Sequence, residues 1–376
     1  MKKILSACVV LMGVALSLPA QGFQFTHINN ANSNLAYDSI RELFQDSRGY
    51  IWIGTYKGLS RFDGTRMKNY DRHDFGIESD FINVISEDAN GDVWIGTDNG
   101  IVIYDYSEDA FRTLSSLSDS EYYPNDRIYA ISPNSKGVMW ISSRGQGLFS
   151  CDVNDYSMAF HPMSDVAPIT DIFRIVVDRY DRLFLARYCD NIYCSDENAS
   201  SIELLGAGGS PDIFSGDDIE GMCLSSESNN ILYVASKRNG LVEINLLSKS
   251  ARVLCPLIGE TRPTALALEG TNAIWMSTTD GAVRYELSSG GSSVFRNDRT
   301  DKFTLSDNYV TKVLTDNKGG IWIGTQYGGI NFYGIYQQKF RKYYRTDDGH
   351  SLEGCIVKDF PKTSSAGYGS QPSAPD

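Results

Sequence analysis

The sequence has few of the residues and patterns that many enzyme and membrane protein classes require. It contains only 4 histidines in 376 residues. No Cys-x-x-Cys pair or His-rich spacing occurs, so the sequence predicts neither a zinc site nor any other metal site or cofactor. Beyond residue 18 no stretch is long and apolar enough to cross a membrane. No window keeps a 3.6-residue period over three turns, so the pattern favours a chain without helices.

Basic residues are fewer than acidic ones. The sequence has 34 Lys and Arg against 47 Asp and Glu, which gives a formal net charge of −13. A surface of this charge repels nucleic acid and anionic lipid, which excludes both as partners. It also argues against non-specific capture of sulfated or uronic polymers, although a local basic pocket could override the overall charge.

The amino terminus has the pattern of a cleavable leader. Residues 1–3 are a basic n-region, residues 4–18 an apolar h-region, and residues 20–22 include small residues suited to cleavage. About 15 apolar residues are short for a membrane span of about 20. We therefore predict a signal peptide over residues 1–22 and a periplasmic location.

Six cysteines follow the leader: Cys151, Cys189, Cys194, Cys223, Cys255 and Cys355. Export permits disulfides, and Cys189 with Cys194 is the nearest pair. The spacings are irregular, however, and the chain is large enough to fold without covalent links. We expect buried free thiols, with a disulfide as the alternative.

The most informative feature is an internal repeat. Residues 46–59 read as a turn, a short strand around Trp52, a loop and a further strand, and residues 89–101 and 317–330 repeat the pattern. Aligning on the ring position gives spacings of 42, 46, 44, 49, 42 and 47 residues between successive aromatics. A period in the forties with several short strands per unit is typical of β-propeller blades. The ring residues are Trp52, Trp94, Trp140, Phe184, Tyr233, Trp275 and Trp322, which we interpret as core rings between blades rather than as ligand platforms.

The first blade is predicted in detail, with strand a at 40–45, strand b at 50–55, strand c at 59–62 and strand d at 67–70. Strands a to c occur seven times, but strand d occurs eight times. Its copies begin at Phe25, Met67, Phe111, Met158, Ile202, Ala251, Val294 and Phe340. The surplus predicts that residues 25–28 supply the outer strand of the last blade and close the ring, which removes an exposed sheet edge.

The predicted fold is an all-β, seven-bladed β-propeller of four-stranded antiparallel blades over residues 23–345, closed by the N-terminal strand. Residues 346–376 begin a further repeat and then become a Pro/Gly/Ser-rich tail, which we expect to be disordered. This pattern suggests a chain truncated just inside a second propeller.

The repeats resemble the two-component regulator propeller repeats found in periplasmic sensor regions of hybrid two-component systems. The resemblance rests on the Gly-x-Ile-Trp-Ile-Gly-Thr-x-x-Gly-Leu pattern around Trp52, Trp94 and Trp322 and is weakest around Phe184 and Tyr233. It implies a non-catalytic sensor that recognises oligosaccharides from polysaccharide breakdown, and it implies homodimerisation through the sensor region. This sequence has no kinase His motif or helix-turn-helix, so any phosphorelay would belong to longer relatives.

The b–c and d–a loops of a propeller gather on one face around the central channel, where binding residues are most often found. Rings and hydrogen-bonding side chains there suit the apolar face and hydroxyl rim of a sugar. The candidate ligand-binding residues are Tyr56, Lys57, Arg144, Gln146, Tyr188, Asp190, Arg238, Gln326 and Tyr327. The competing interpretation is that each is a solvated hairpin tip.

Two other functions remain open at this point. One is a protein-interaction scaffold, because propeller faces often dock other chains. The other is a propeller lyase or glycosidase. Of the histidines, only His73 falls in a d–a loop, which makes a His-based acid/base pair hard to build. A glycosidase needs two opposed carboxylates, for which Asp98, Asp190 and Asp280 are available.

Overall fold

The computed structural model describes residues 23–76, 79–162, 171–200, 202–205, 214, 216–228, 230–257 and 260–334. The predicted signal peptide, the eighth outer strand at Phe340, the tail, His350 and Cys355 lie outside the described residues. Within the described residues, no helix is long and apolar enough to traverse a bilayer.

The described strands form seven four-stranded sheets, each with the strand order a-b-c-d. Every pairing within them is antiparallel, as predicted. Blades 1 to 3 consist of β2–β5 (Ile40–Gln45, Ile51–Thr55, Gly58–Phe62, Met67–Tyr70), β6–β9 (Ile82–Glu87, Val93–Thr97, Gly100–Asp105, Ala110–Thr113) and β10–β13 (Ile128–Pro133, Val138–Ser143, Gly147–Asp152, Met158–His161). Blades 4 and 5 consist of β14–β17 (Ile172–Val177, Leu183–Arg187, Ile192–Ser195, Ile202–Leu204) and β18–β21 (Ile219–Leu224, Ile231–Ser236, Gly240–Asn245, Ser250–Cys255). Blade 6 is β22–β25 (Pro263–Glu269, Ala273–Thr278, Gly281–Glu286, Ser292–Phe295), and blade 7 is β26–β28 (Val310–Thr315, Ile321–Thr325, Ile330–Tyr333) with β1 (Thr26–Ile28).

The N-terminal strand closes the ring, as the surplus outer strand predicted. Thr26 pairs with Phe332 and Ile28 with Ile330, so β1 is the outer strand of blade 7. Just before it, Phe25 donates its backbone N–H to the Phe303 carbonyl at 2.8 Å. The Phe25 ring is 2% exposed and packs with residues of blades 6 and 7.

The seven repeat aromatics hold neighbouring blades together. All are buried, and each belongs to a core cluster that includes residues of the following blade. Trp52 of blade 1 packs with Ile82 and Ile85 of blade 2, and Trp322 of blade 7 packs with Ile40 of blade 1. Burying roughly 200 Å² of ring at about 25 cal/mol/Å² contributes about 5 kcal/mol per interface before entropy costs.

A carboxylate six residues before the tryptophan orients the indole. Asp46 Oδ2 accepts a hydrogen bond from Trp52 Nε1 at 2.7 Å, while Asp46 Oδ1 accepts the N–H groups of Arg48 and Tyr50 in the a–b turn. One side chain therefore fixes both the turn and the ring. The same indole–carboxylate pairs recur at Trp94 with Asp88, Trp275 with Glu269 and Trp322 with Asp316, at 2.7–2.9 Å.

Blade 3 lacks this pair. Asn134 takes the equivalent position, and its Oδ1 accepts the N–H groups of Lys136 and Val138 as the aspartates do in their turns. The amide nitrogen replaces the second carboxylate oxygen, and Trp140 Nε1 is buried with no hydrogen-bond partner. An unpaired buried donor costs about 1–3 kcal/mol.

The glycine two residues after the tryptophan has a steric cause. A Cβ at Gly54 would lie 2.6 Å from Ile82 Cγ2 of the next blade, and one at Gly324 would lie 2.5 Å from Ile40 Cγ2. Only a residue without a side chain lets these blades approach so closely. The threonine that follows then holds the b–c turn, since Thr55 Oγ1 accepts the Lys57 N–H at 3.0 Å.

Two expectations were wrong in detail. The described chain contains three single-turn helices, α1 (Asn30–Ser33), α2 (Arg72–Phe75) and α3 (Leu114–Leu117), all in d–a connections. Capping side chains at Asn29 and Asp71 stabilise the first two, and a single turn is too short to show a helical period.

The second error concerns the cysteines. The five described cysteines are all free, as expected, but only Cys151 is buried. Cys194, Cys223 and Cys255 are partly exposed, and Cys189 is exposed. It lies in a b–c loop, where its thiol donates a hydrogen bond to Asp218 Oδ1 at 3.1 Å. Its place in a polar hairpin, rather than on a strand like the buried Cys151, explains the difference.

We expect Phe25→Ala to lower the free energy of unfolding by about 3–5 kcal/mol, because it removes a buried ring at the point of ring closure. Urea unfolding followed by circular dichroism measures this change. Phe160→Ala, at a ring that is 40% exposed on β13, is the matched control and should cost about 1 kcal/mol or less. A loss below about 1 kcal/mol for Phe25→Ala would contradict the proposed contribution of Phe25 to closure.

We expect Asn134→Asp to raise the free energy of unfolding at neutral pH by about 1 kcal/mol, because it gives the Trp140 indole an acceptor. The reciprocal change Asp88→Asn, which removes the acceptor of Trp94, should lower stability by a similar amount or more. Both are measured by urea unfolding. Equal stability of wild type and Asn134→Asp would show that the unpaired indole carries no cost.

Candidate functional site

The same irregularity opens every inner strand and shapes the central channel. In each blade the a–b pairing shifts register between the first and third residues of strand a, for example between Ile40 and Glu42. A bulge of this kind bends the strand and redirects a side chain. At the second position six residues line a central cavity: Arg41, Asn83, Tyr129, Phe173, Thr264 and Thr311.

The central cavity has a volume of about 430 Å³ and two chemically different walls. On blades 3 and 4, Tyr129 stacks on Phe173 with ring centroids 4.4 Å apart, and Phe173 stacks on Tyr188 of a b–c loop at 5.1 Å. On blades 7 and 1, Lys312 Nζ forms an ion pair with Glu42 Oε2 at 2.7 Å.

A series of side-chain hydrogen bonds links blade 1 to blade 3 along the channel. Arg41 Nη2 donates to Asn83 Oδ1 at 2.5 Å, and Asn83 Nδ2 donates to Asp98 Oδ1 at 2.8 Å. Arg127 completes the chain with two hydrogen bonds to the Asp98 carboxylate at 2.8 and 2.9 Å. Burial raises the pKa of Asp98, but the hydrogen bonds from Arg127 and Asn83 outweigh it and hold that pKa below its usual value.

A second cavity of about 500 Å³ lies over the junction of blades 7 and 1, and we call it the seam groove. Tyr56 and Gln326 line both cavities, so the groove and the channel adjoin. The lining residues are Tyr37, Asp38, Ser39, Tyr56, Lys57, Phe81, Gln326 and Tyr327.

Aromatic rings and two cations contact each other in the seam groove and at its border with the channel. Phe81 meets the Tyr56 ring edge-on at 5.7 Å between centroids, and Arg41 Cζ lies 4.6 Å from the centre of that ring. Lys57 Nζ lies 4.7 Å from the centre of the Tyr37 ring. Tyr327 is 76% exposed at the rim, an unusual exposure for a large ring.

Four of the nine sequence-predicted site residues therefore come together, namely Tyr56, Lys57, Gln326 and Tyr327. The other five line neither cavity, although Tyr188 contacts the channel wall through Phe173. The loops bring together only residues of adjacent blades, because a propeller rim separates the tips of distant blades around a circle.

Several of the remaining predicted residues support their own loops. Gln146 Oε1 accepts the N–H groups of Asn125 and Asp126 and the hydroxyl of Ser143, which ties a b–c hairpin to a d–a loop. Arg144 pairs with Asp126 at 3.0 Å.

On blades 4 and 5 the contacts are also local. Asp190 pairs with Arg187 at 2.6 Å and accepts the hydroxyl of Tyr193. Arg238 donates its backbone N–H to Asp217 and a guanidinium N–H to the Gly216 carbonyl. These contacts give the residues structural roles in their loops, and their ligand role stays a prediction.

The carboxylates considered for catalysis are engaged with arginines. Asp98 pairs with Arg127, Asp190 with Arg187, and Asp280 with Arg296 at 2.9 Å. No histidine is among the residues that line the two cavities. The site thus offers stacking surfaces and hydrogen-bonding groups, and within the described residues no cluster of three metal-ligating side chains occurs.

Sequence reasoning missed the residues contributed by the inner strands and by the segment after β1. Arg41, Tyr129 and Phe173 were not predicted, because they lie on inner strands and not in loops. A polar or aromatic residue directly after the first apolar residue of strand a was the available signal.

Three of the repeats match a known family model. Residues 34–57, 76–99 and 304–327 match the model described as two component regulator propeller. Three of the seven repeats are thus similar to two-component regulator propeller repeats. The matches fall on blades 1, 2 and 7, where the resemblance was strongest, and the first and last of them end at Lys57 and Tyr327 in the seam groove.

Solved structures share the fold at low sequence identity. The extracellular domain assigned to the hybrid two component system BT3049 from B. thetaiotaomicron is 18% identical, with a TM-score of 0.72 over 91% of this chain and 46% of that one. That of BT4673 from the same organism is 19% identical, with a TM-score of 0.68 over 86% and 40%. The chain thus spans less than half of either domain.

A third relative in fold is an enzyme. Virginiamycin B lyase from Staphylococcus aureus is 15% identical in its complex with quinupristin, with a TM-score of 0.64 over 83% of this chain and 99% of that one. No curated protein matches the sequence. At these identities the likeness shows the propeller fold alone.

Proposed function

We propose that this chain is the ligand-binding sensor propeller of an extracytoplasmic hybrid two-component receptor, and that it binds an oligosaccharide in the seam groove. The observation that carries the proposal is the convergence there of four predicted loop residues with Tyr37 and Phe81. Resemblance in fold to extracellular domains of hybrid two component systems supports the location and the sensor class.

The chemistry of the groove suits a sugar. A pyranose presents C–H groups on one face, which pack on aromatic rings, and hydroxyls around its rim, which need hydrogen-bonding partners. Tyr56 and Tyr327 offer ring faces, and Gln326 offers an amide that can both donate and accept. The loops are held by backbone bonds such as Gln326 N–H to the Tyr309 carbonyl at 2.9 Å, so little ordering entropy is lost on binding.

Binding is the only step that we assign to this chain. An occupied groove contacts blade 1, blade 7 and the segment that follows β1, so a ligand would stabilise the closed ring. Phosphorelay and gene control belong to other domains of the longer receptors. The proposed location is the periplasm, which matches the predicted export signal.

We expect Tyr327→Ala and Tyr56→Ala each to weaken oligosaccharide binding at least about tenfold, which corresponds to about 1.4 kcal/mol, through loss of ring stacking. The wild-type full chain is first titrated by calorimetry against a panel of neutral, uronic and sulfated oligosaccharides. The variants are then titrated with the saccharide that binds.

Tyr180→Ala is the matched control. Its ring is 56% exposed, in an a–b turn on the opposite face, and its removal should leave the dissociation constant unchanged. Unchanged affinity in both groove variants would place the sugar elsewhere. Absence of saccharide binding, with a protein partner captured through the same groove residues, would replace the sensor role by a docking role.

A further inference from the structure

The two adjoining cavities are basic although the chain as a whole is acidic. Five basic side chains line them against two carboxylates, in a chain whose formal net charge is −13. The basic residues are Arg41, Lys57, Arg127, Arg174 and Lys312, and the acidic ones are Asp38 and Glu42. The local excess is opposite in sign to the net charge of the chain.

Three of these cations have carboxylate partners. Lys312 pairs with Glu42, Arg127 pairs with Asp98, and Arg174 lies 3.6 Å from Glu220. Within the described residues, no carboxylate forms an ion pair with Arg41 or Lys57. Arg41 lies over the Tyr56 ring from the channel side, and Lys57, the next residue of the chain, lines the seam groove together with Tyr56.

The contacts of Arg41 leave part of its guanidinium available. Nε donates to the Ile82 carbonyl at 3.0 Å, and Nη2 donates one hydrogen bond to Asn83. These bonds and the Tyr56 ring fix the guanidinium plane. Nη1 has no hydrogen-bond partner among the described residues, so the edge formed by Nη1 and Nη2 can still receive two oxygens of an anion.

Asp38 does not cancel this charge by contact. Its Oδ1 accepts the Asn30 N–H at 2.7 Å, and its carbonyl accepts the Gly329 N–H at 3.0 Å, so it holds the groove wall in place. Tyr37, beside it, places a ring 4.7 Å from Lys57 Nζ.

We infer that the seam groove selects acidic saccharides, with Arg41 and Lys57 binding a carboxylate or sulfate of the sugar whose ring packs on Tyr56. This inference rests on the proposed function and narrows its ligand class. The overall negative charge repels extended polyanions, so the groove accepts a short acidic oligosaccharide that reaches Arg41 at the channel edge.

The test compares oligosaccharides of equal length that are neutral, uronic or sulfated, each titrated into the full chain at low and moderate salt. We expect the acidic classes to bind at least tenfold more tightly than the neutral one, and their affinity to fall as salt rises. The uronic and sulfated arms identify which acid the groove prefers. Lys57→Gln and Arg41→Gln should each weaken acidic binding about tenfold more than they weaken neutral binding.

Lys318→Gln is the matched control, because it removes the same charge from an exposed a–b turn on the opposite face. Lys57 is exposed at a loop tip, so its variant keeps the test valid if Arg41→Gln unfolds.

Neutral saccharides that bind as well as acidic ones, with a loss only in Tyr56→Ala, would overturn the charge inference and keep the sugar-binding function. No binding of any class would overturn both.

Discussion

The structure depends on one repeated contact, the packing of an aromatic ring from strand b of each blade against the inner strand of the next. Four of the five tryptophans are oriented by a carboxylate six residues earlier, and the glycine two residues after the ring permits the close approach at Gly54 and Gly324. Every blade contacts the next, and the last interface, Trp322 on Ile40, also packs against Ile28 of β1, the strand that completes blade 7. Ring closure by β1 and the packing between blades 7 and 1 therefore depend on each other.

The candidate site lies where the ring closes, between blade 7 and blade 1. The segment between β1 and β2 crosses from blade 7 to blade 1 and supplies Tyr37 and Asp38, one wall of the seam groove. The b–c loop of blade 7, with Gln326 and Tyr327, lines the groove beside this segment. The groove is thus built from the first and last described parts of the chain, and its shape depends on the same pairing that closes the ring.

Much of this arrangement could be predicted because it repeats. The spacing of the aromatic residues predicted seven blades. The surplus outer strand predicted that residues 25–28 close the ring. Tyr56 and Tyr327 were predicted as candidate binding residues because they lie in b–c loops, and in a propeller these loops gather on one face. Arg41 was not predicted as a channel residue, because the bulge after Ile40 interrupts the two-residue alternation from which side-chain direction is inferred. The recurrence of a polar or aromatic residue at that position was the one sign of its role. Gln146 was predicted to bind ligand, but its side chain accepts backbone N–H groups of a neighbouring loop, and no sequence pattern reveals such partners.

The central claim is that a ligand lies across the seam between blades 7 and 1, on the face of the b–c loops. The most direct measurement is a crystal structure of the full chain with the saccharide that binds in solution. The account predicts sugar density between Tyr56 and Tyr327, with its polar groups directed towards Arg41. Density on the a–b face, or over another pair of blades, would contradict it.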